Sequence, residues 1–178
     1  MELEMKLNFN DWDQRYEFVD KYSWAIPSEE ALNSIAKFVG NDIVLEIGAG
    51  LGYWAKLLQD KNINIIPTDS FDEKWFNKNP SHTKIFKYNA IDAIQKFQEA
   101  SVLFICWPPH KNTMAFDAIK VWNGSKLIYI GEGKFGCNAT DGFFNELDEK
   151  WSIREKIYIP QYFQIYDDLT LYERNINQ

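Results

Sequence analysis

The chain has 178 residues, enough for one domain with a substantial core and too few for two ordinary domains. Its 46% hydrophobic and 25% charged residues are ordinary for a globular protein and exclude a disordered chain. The net charge of −7 disfavours a free-standing nucleic-acid binder, because phosphate backbones are bound largely through Lys and Arg.

The sequence carries no targeting or metal-binding signal. No apolar run reaches the roughly 18–20 residues that cross a bilayer, and residues 1–10 lack the apolar stretch of a signal peptide. We therefore expect a cytoplasmic protein with no membrane partner. Cys106 and Cys137 form no CxxC pair and have no histidine at ligand spacing. We predict neither a disulfide framework nor a metal site.

Residues 1–26 are predicted to form an aromatic helical extension, with the main domain spanning 27–178. Aromatic side chains recur mostly three to four residues apart, as on one face of a helix, at Trp12, Tyr16, Phe18, Tyr22 and Trp24. Aromatic residues make up 16% of the chain, so some are expected to line a pocket or a partner surface. A helix start follows at 27–30, and Gly40 fits the stop of that helix.

From residue 43 onwards, short apolar strands alternate with helices. Strands are predicted at 43–47, 63–67, 83–88, 101–106 and 126–130. Helices are predicted around 54–58, 92–97, 114–121 and 143–147. Two β-rich runs, 153–159 and 169–174, have no helix between them and indicate an antiparallel pair. The pattern predicts an α/β fold with a central, mostly parallel sheet, helices on both faces and a C-terminal antiparallel strand pair.

A glycine-rich turn follows the first predicted strand. Ligands of open α/β sheets bind beyond the carboxyl ends of the strands, where the strand order reverses. Glycines let the backbone turn sharply and approach a ligand closely. The dinucleotide fingerprint would need its third glycine at position 53, which is Tyr53 here. The run is instead G-x-G-x-G preceded by an acid, Glu46-Ile47-Gly48-Ala49-Gly50-Leu51-Gly52.

This run resembles motif I of the class I S-adenosylmethionine-dependent methyltransferases, and the resemblance covers roughly residues 26–174. It implies a Rossmann-like methyltransferase fold with S-adenosyl-L-methionine as cofactor. By this resemblance, Glu46 organises the loop and the methionine amine, and Asp69 holds the ribose hydroxyls. Asn89 and Ala90 fall where the family contacts adenine. The implied cofactor-binding set is Glu46, Gly48, Ala49, Gly50, Gly52, Asp69, Asn89, Ala90 and Cys106.

A second motif, Cys106-Trp107-Pro108-Pro109-His110, follows the fourth predicted strand. It resembles the Asp/Asn/Ser-Pro-Pro-aromatic motif with which methyltransferases acting on amino groups hold the target nitrogen. Trp107 replaces the polar residue and His110 the aromatic one, which disfavours adenine-N6 or cytosine-N4 chemistry, although a proline carbonyl could still serve. Residues 106–109, together with residues 22–32 upstream and residues 129–133 and 136–137 downstream, are similar to a narrower group of small microbial methyltransferase-like proteins with a CWPP motif.

Candidate catalytic residues lie near this second motif. His110 is a candidate base, since the pKa of histidine suits proton transfer near neutral pH. Glu132, at the end of the fifth strand, is a candidate for orienting the acceptor. Trp107 is a further candidate, and Tyr22, Trp24 and Trp107 are expected to surround the sulfonium, because aromatic faces attract cations. The rest of the predicted acceptor pocket is Tyr22, Trp24, Pro108 and Pro109.

The sequence thus favours an enzyme, an S-adenosylmethionine-dependent methyltransferase (EC 2.1.1 class). Its acceptor would be a small molecule, or a nitrogen or oxygen on a larger target. One alternative is a nucleic-acid amino-methyltransferase with a degenerate acceptor motif, which the acidic charge opposes. Another is a catalytically silent cofactor-binding module whose aromatic N-terminal segment engages a protein partner.

Overall fold

The computed structural model describes residues 12–71 and 79–175, with side chains from residue 15 onwards. The helices are α1 Trp12–Lys21, α2 Glu29–Val39, α3 Tyr53–Asp60, α4 Ala90–Lys96, α5 Met114–Val121 and α6 Asp141–Lys150. The strands are β1 Val44–Ile47, β2 Ile65–Asp69, β3 Phe86–Lys87, β4 Val102–Cys106, β5 Lys126–Gly131, β6 Trp151–Tyr158 and β7 Asp168–Arg174.

The strands form one seven-stranded sheet in the order β3-β2-β1-β4-β5-β7-β6. Strands β1 to β5 pair in parallel, whereas β7 pairs antiparallel with both β5 and β6. This architecture confirms the predicted α/β Rossmann-like fold and its C-terminal antiparallel pair. The chain runs outward from β1 to β2 and β3, then returns to β4 on the other side of β1. The carboxyl ends of β1 and β4 therefore flank the position where the strand order reverses.

Both faces of the sheet are covered, because successive side chains of the central strands point to opposite sides. Val44 packs with α2 and α3 in one apolar cluster, whereas Leu45 and Ile47 pack with α4, α5 and α6 in the other. Val102 and Leu103 of β4 divide between the two clusters in the same way. This double burial fixes the sheet and holds its carboxyl edge rigidly. Within the described ranges, no helix is long and apolar enough to span a bilayer.

The ends of α2 form as predicted. Ser28 is the N-cap, and its hydroxyl accepts a hydrogen bond from the Ala31 N–H at 3.1 Å. Gly40 ends the helix with φ +60°, where side chains are disfavoured.

Several element boundaries differ from the sequence prediction, and β2 is shifted by two residues to Ile65–Asp69. Helix α1 ends at Lys21, so Tyr22 and Trp24 lie on the following turn and not on the helix face. The side chain of Trp12 is outside the described part. Strand β3 is reduced to two residues, because Thr83 and Ile85 pack against the start of α3. Helix α4 starts at Ala90 and not near residue 92.

Candidate functional site

The glycine loop connects β1 to α3 in a conformation that side chains disfavour. Gly48, Gly50 and Gly52 have φ values of +69°, +57° and +73°. An L-residue in this region places its Cβ too close to the following carbonyl oxygen, so glycine is the residue that adopts it readily. The Ala49 N–H donates to the Thr68 carbonyl at 2.9 Å, which ties the loop to β2.

Gly52 has a different part from the other two glycines. It is the buried N-cap of α3, and a Cβ at this position would lie 3.0 Å from Thr83 Cγ2 and 3.3 Å from Ile85. It does not line the cavity described next. Gly52 therefore lies close to the segment that leads into β3, and its predicted cofactor contact stays a prediction.

A cavity of about 960 Å³ lies at the carboxyl edge of the sheet, between the glycine loop and the segment after β4. The predicted cofactor residues on its wall are Glu46, Gly48, Ala49, Gly50, Asp69, Asn89, Ala90 and Cys106. The predicted catalytic and acceptor residues on its wall are Tyr22, Trp24, Trp107, Pro108, Pro109, His110 and Glu132. Every predicted site residue except Gly52 thus borders one continuous space.

Glu46 places a buried carboxyl group in the cavity wall. The residue is 2% exposed, and its Oε2 has no hydrogen-bond partner among the described residues. Burial raises the pKa of this carboxyl well above its ordinary value, and the nearby charge of Asp69 adds to the effect. A buried polar atom without a partner is costly, so a donor supplied by a ligand would stabilise this arrangement.

Asp69, the last residue of β2, braces the glycine loop. Its Oδ2 accepts the Gly50 N–H at 3.0 Å, and its Oδ1 accepts the Phe71 N–H at 2.9 Å. The side chain therefore ties the loop to β2, and it borders the cavity.

Asn89 and Ala90 begin α4 on the same wall. The Asn89 side chain caps the helix by accepting the Asp92 N–H at 2.9 Å, while Ala90 is buried. The short side chain of Ala90 leaves room at a point where a larger residue would fill the cavity. The cap and the small residue together explain why α4 starts before the predicted position.

Trp107 leaves β4 with φ +50°, an uncommon conformation for a bulky residue. Its N–H donates to the Ile130 carbonyl at 2.8 Å, and its indole Nε1–H donates to Asp167 Oδ2 at 2.8 Å. The indole stacks on Trp24, with ring centroids 5.7 Å apart and an interplanar angle of 21°. Trp24 and Trp107 therefore lie side by side in the wall of the cavity.

A buried arginine lies beside these rings. The Arg15 guanidinium lies 5.3 Å, 5.5 Å and 5.4 Å from the ring centroids of Trp24, Trp107 and Tyr162, and the residue is 6% exposed. Cation–π contact with several faces favours this placement. Arg15 thereby attaches α1 to the segments after β4 and before β7.

A second aromatic group attaches the end of α1 to the glycine-loop side of the cavity. Tyr22 contacts Tyr53 and His82, with centroid distances of 5.1 Å and 5.8 Å. His82 Nε2 also lies 2.8 Å from the Lys21 carbonyl oxygen. The aromatic N-terminal segment therefore contributes to the cavity wall on two sides, through Tyr22 next to the glycine loop and through Trp24 next to Trp107.

The Pro108 carbonyl does not present a free acceptor in the way that the motif would require. The Pro108 carbonyl accepts the Asn138 Nδ2–H at 3.1 Å and the Ala139 N–H at 3.3 Å. The Pro109 carbonyl accepts the Asn112 N–H at 3.3 Å. A carbonyl that already accepts two bonds has little capacity left for an amino group, because it has two lone pairs.

Glu132 is buried, and both of its carboxylate oxygens accept backbone bonds. Oε2 accepts the Cys137 N–H at 2.7 Å, and Oε1 accepts the Tyr166 N–H at 3.0 Å. These two bonds join the turn after β5 to the turn before β7. Glu132 therefore stabilises the local structure, whatever its predicted contact with the acceptor.

His110, in contrast, is exposed at the cavity mouth. Cys106 is held as a thiol, because burial and the charges of Glu46 and Asp167 raise its pKa well above the ordinary value.

Sequence reasoning missed Arg15, Asn138 and Asp167. Asp167 is 1% exposed, and burial raises its pKa to about 6, against the lowering effect of the Trp107 hydrogen bond. Its only sequence signal is an acidic pair that precedes an apolar strand. Asn138 and Arg15 lie in segments that carry no motif.

The chain matches no protein-family model and no curated protein sequence. Solved structures share its fold at low identity. A Streptococcus pneumoniae protein provisionally assigned as a tRNA (m1A22) methyltransferase, in complex with S-adenosyl-L-methionine, is 15% identical, with a TM-score of 0.52 over 83% of this chain and 73% of that one. M. capricolum TrmK, in complex with S-adenosyl-homocysteine, is 14% identical, with a TM-score of 0.52 over 84% and 70%.

A third solved structure belongs to a study of the conversion of a disulfide bond into a thioacetal group during echinomycin biosynthesis. It is 12% identical, with a TM-score of 0.54 over 86% of this chain and 84% of that one. At these identities the similarity establishes the Rossmann-like fold. The neighbours include methyltransferases of RNA and of small molecules, so they leave the acceptor open.

Proposed function

We propose that this chain is an S-adenosylmethionine-dependent methyltransferase with a small-molecule acceptor. One observation carries the proposal: a single cavity runs from a loop of positive-φ glycines, past the unpartnered Glu46 oxygen, to an aromatic wall at Trp107. Its volume of about 960 Å³ is ample for an adenosyl cofactor, since small-molecule sites span roughly 300–1,000 Å³.

The residues present fit the cofactor. A ligand ammonium would supply the donor that Glu46 Oε2 lacks, and the absence of a side chain at Gly48 leaves the space beside Met114 open. In this assignment Glu46 holds the methionine amine, Gly48 and Gly50 lie under the methionine part, and Asp69 accepts from the ribose hydroxyls. Asn89 and Ala90 border the adenine.

The cofactor supplies an electrophilic methyl group on a sulfonium. Methyl transfer to a nucleophile is an in-line displacement, so this chain contributes chiefly by holding the acceptor at the correct angle and distance. An acceptor that carries a proton must also lose it, and His110 at the mouth is our candidate to receive it. Glu132 contributes by keeping the two turns together that border the acceptor end.

A small molecule fits the acceptor end better than a nucleobase amino group. Pro108 gives its carbonyl to Asn138 and Ala139, and Trp107 has no acceptor atom on its side chain. The net charge of −7 opposes binding to a phosphate backbone. Both features disfavour the nucleic-acid alternative.

The first test measures thermal stability with S-adenosylmethionine, S-adenosylhomocysteine and NAD. A ligand at 100 times its dissociation constant adds about 2.7 kcal/mol of stability. We expect both adenosyl ligands to stabilise the protein and NAD to have no effect. Stabilisation by NAD alone would contradict the assignment.

The second test follows transfer of a labelled methyl group from S-adenosylmethionine. One reaction contains a metabolite extract depleted of macromolecules, and a parallel reaction contains single-stranded RNA and DNA oligonucleotides. We expect label only in the metabolite fraction. Label in the oligonucleotides would favour the nucleic-acid alternative, and cofactor binding without any labelled product would favour the silent module.

A further inference from the structure

Trp107 occupies the point where the cavity wall leaves β4, and its conformation needs support. The backbone φ is +50°, which a bulky residue adopts only when its surroundings hold it there. Four contacts hold it: the main-chain bond to Ile130, the stack on Trp24, the Arg15 guanidinium against the ring and the indole bond to Asp167. The bond to Asp167 fixes the direction in which the indole N–H points.

Burying the Asp167 carboxyl group as the hydrogen-bond acceptor of an indole costs desolvation free energy. It is 1% exposed, its Oδ2 accepts the Trp107 Nε1–H at 2.8 Å, and its Oδ1 has no hydrogen-bond partner among the described residues. A neutral amide or a main-chain carbonyl could accept the same bond without burying a charge. The choice of a carboxyl group here therefore needs a reason beyond packing.

Charged and titratable groups surround this carboxyl from every neighbouring element. Arg15 of α1 favours its ionised form, and Glu132 after β5 disfavours it. Burial raises the pKa of Cys106 in β4, Tyr129 in β5 and Tyr162 before β7, and the charge of Asp167 adds to each rise. Asp167 is thus coupled electrostatically to both the cofactor side and the α1 side of the cavity.

We propose that Asp167 is a positioning residue that holds the Trp107 indole as the acceptor-side wall of the cavity, with Trp24 and Arg15 packed against the ring. This inference rests on the proposed function, since it adds a residue to the same site. Asp167 itself does not line the cavity and acts through Trp107.

The protonation state of Asp167 gives the proposal a spectroscopic signature. With a pKa of about 6, the carboxyl loses its charge in mildly acidic solution, and a neutral acid is a weaker acceptor than a carboxylate. The ¹H–¹⁵N resonance of the Trp107 indole, assigned with Trp107→Phe, should therefore move with pH around a midpoint near 6 in the wild type.

The experiment compares Asp167→Asn, Asp167→Ala and a matched control, Asp168→Asn. Asparagine keeps an oxygen for the indole without the charge, and alanine removes the acceptor. Asp168 is the adjacent carboxyl and pairs with Lys156 at 2.9 Å on β6. We expect the pH-dependent indole shift in the wild type and in Asp168→Asn, and its loss in Asp167→Asn. S-adenosylhomocysteine affinity should stay within about twofold in all three variants, since the cofactor residues are untouched.

The functional readout is transfer of labelled methyl into the metabolite extract at pH 8, where Asp167 is ionised in the wild type. Comparison at this one pH separates the effect of Asp167 from proton acceptance by His110. Asp167→Ala should lose about tenfold or more in rate, with Asp167→Asn intermediate. An indole resonance that is indifferent to Asp167→Asn overturns the proposal. So does undiminished transfer in a folded Asp167→Ala variant that still binds S-adenosylhomocysteine.

The two proposals can fail separately. If the protein binds no adenosyl ligand, the proposed function fails, while the indole resonance still reports whether Asp167 orients Trp107. If the wild type binds S-adenosylhomocysteine but transfers no label, the acceptor-side assignment of Asp167 is overturned even where the resonance behaves as expected.

Discussion

Replacing Gly48 by alanine adds one methyl group to the glycine loop, and its effects on folding and on binding can be separated. Gly48 has φ +69°, so we expect the free energy of unfolding to fall by about 1–3 kcal/mol from backbone strain. The nearest atom to the new Cβ would be Met114 Cε at 3.4 Å, an ordinary contact, so little further steric cost follows. The methyl group would, however, occupy space that we assign to the cofactor.

Gly40→Ala is the matched control. Gly40 ends α2 with φ +60° and ψ −118°, and a Cβ there has no heavy atom within 4 Å. The backbone cost of alanine at this position is at least as large as at Gly48, because φ and ψ together lie in a region that glycine alone adopts readily. Gly40 does not border the cavity, so the control reproduces the destabilisation without the intrusion.

Calorimetric titration with S-adenosylhomocysteine, at a temperature where circular dichroism shows both variants folded, measures the difference. We expect Gly48→Ala to bind at least about tenfold more weakly than the wild type, a loss of about 1.4 kcal/mol. Gly40→Ala should bind within about twofold of the wild type. Wild-type affinity in Gly48→Ala would show that the cofactor does not lie over this loop. An equal loss in both variants would attribute the effect to stability alone.

Three further substitutions test the other parts of the site. Gly52→Ala combines φ +73° with a Cβ 3.0 Å from Thr83 Cγ2, so the free energy of unfolding measured in urea should fall by about 2–4 kcal/mol. A smaller loss than in Gly40→Ala would contradict the packing contact. Asp69→Asn should bind S-adenosylhomocysteine about tenfold more weakly in the same titration, because the charge that accepts the ribose hydroxyls is lost; unchanged affinity would move the ribose elsewhere. Burial raises the folded-state pKa of Asp167 from 3.8 to about 6, so between these pH values the native state binds more protons than the unfolded state. The free energy of unfolding should therefore fall by up to about 3 kcal/mol as the pH rises from about 4 to 6. Asp167→Asn should therefore be more stable than the wild type at pH 8, with the advantage absent at pH 4; urea titrations at both pH values check this.

The half of the cavity that we assign to the cofactor was predictable because its determinants are local. Glu46 and the glycines lie within one short run, and the positive φ values that the run requires follow from residue type. Asp69 follows the next strand, and parallel pairing of β1 with β2 brings the two strand ends together. Local sequence and sheet register therefore determine this half between them.

The α1 side of the cavity was not predictable in the same way. Helical spacing suggested one aromatic face, but Tyr22 and Trp24 leave the helix because α1 ends at Lys21. Their ring partners, His82 and Trp107, come from distant loops, and Arg15 reaches Tyr162 near the other end of the chain. Aromatic and cation–π contacts of this kind have no sequence period.

The motif after β4 predicts the position of Pro108 and Pro109 but not the hydrogen bonds that their carbonyl groups make. The segment after β4 does border the cavity at Pro108 and Pro109, as the motif implies. Its hydrogen-bonding capacity is decided by Asn138, whose side chain donates to the Pro108 carbonyl and accepts the Glu132 N–H at 2.7 Å. Because Asn138 lies 30 residues beyond Pro108, the motif itself cannot reveal that the carbonyl is already used. Asn138→Ala would remove one of the two hydrogen bonds that the Pro108 carbonyl accepts. A gain of methyl transfer to nucleobase amino groups in that variant would show that the Asn138 side chain, more than Trp107, excludes these acceptors.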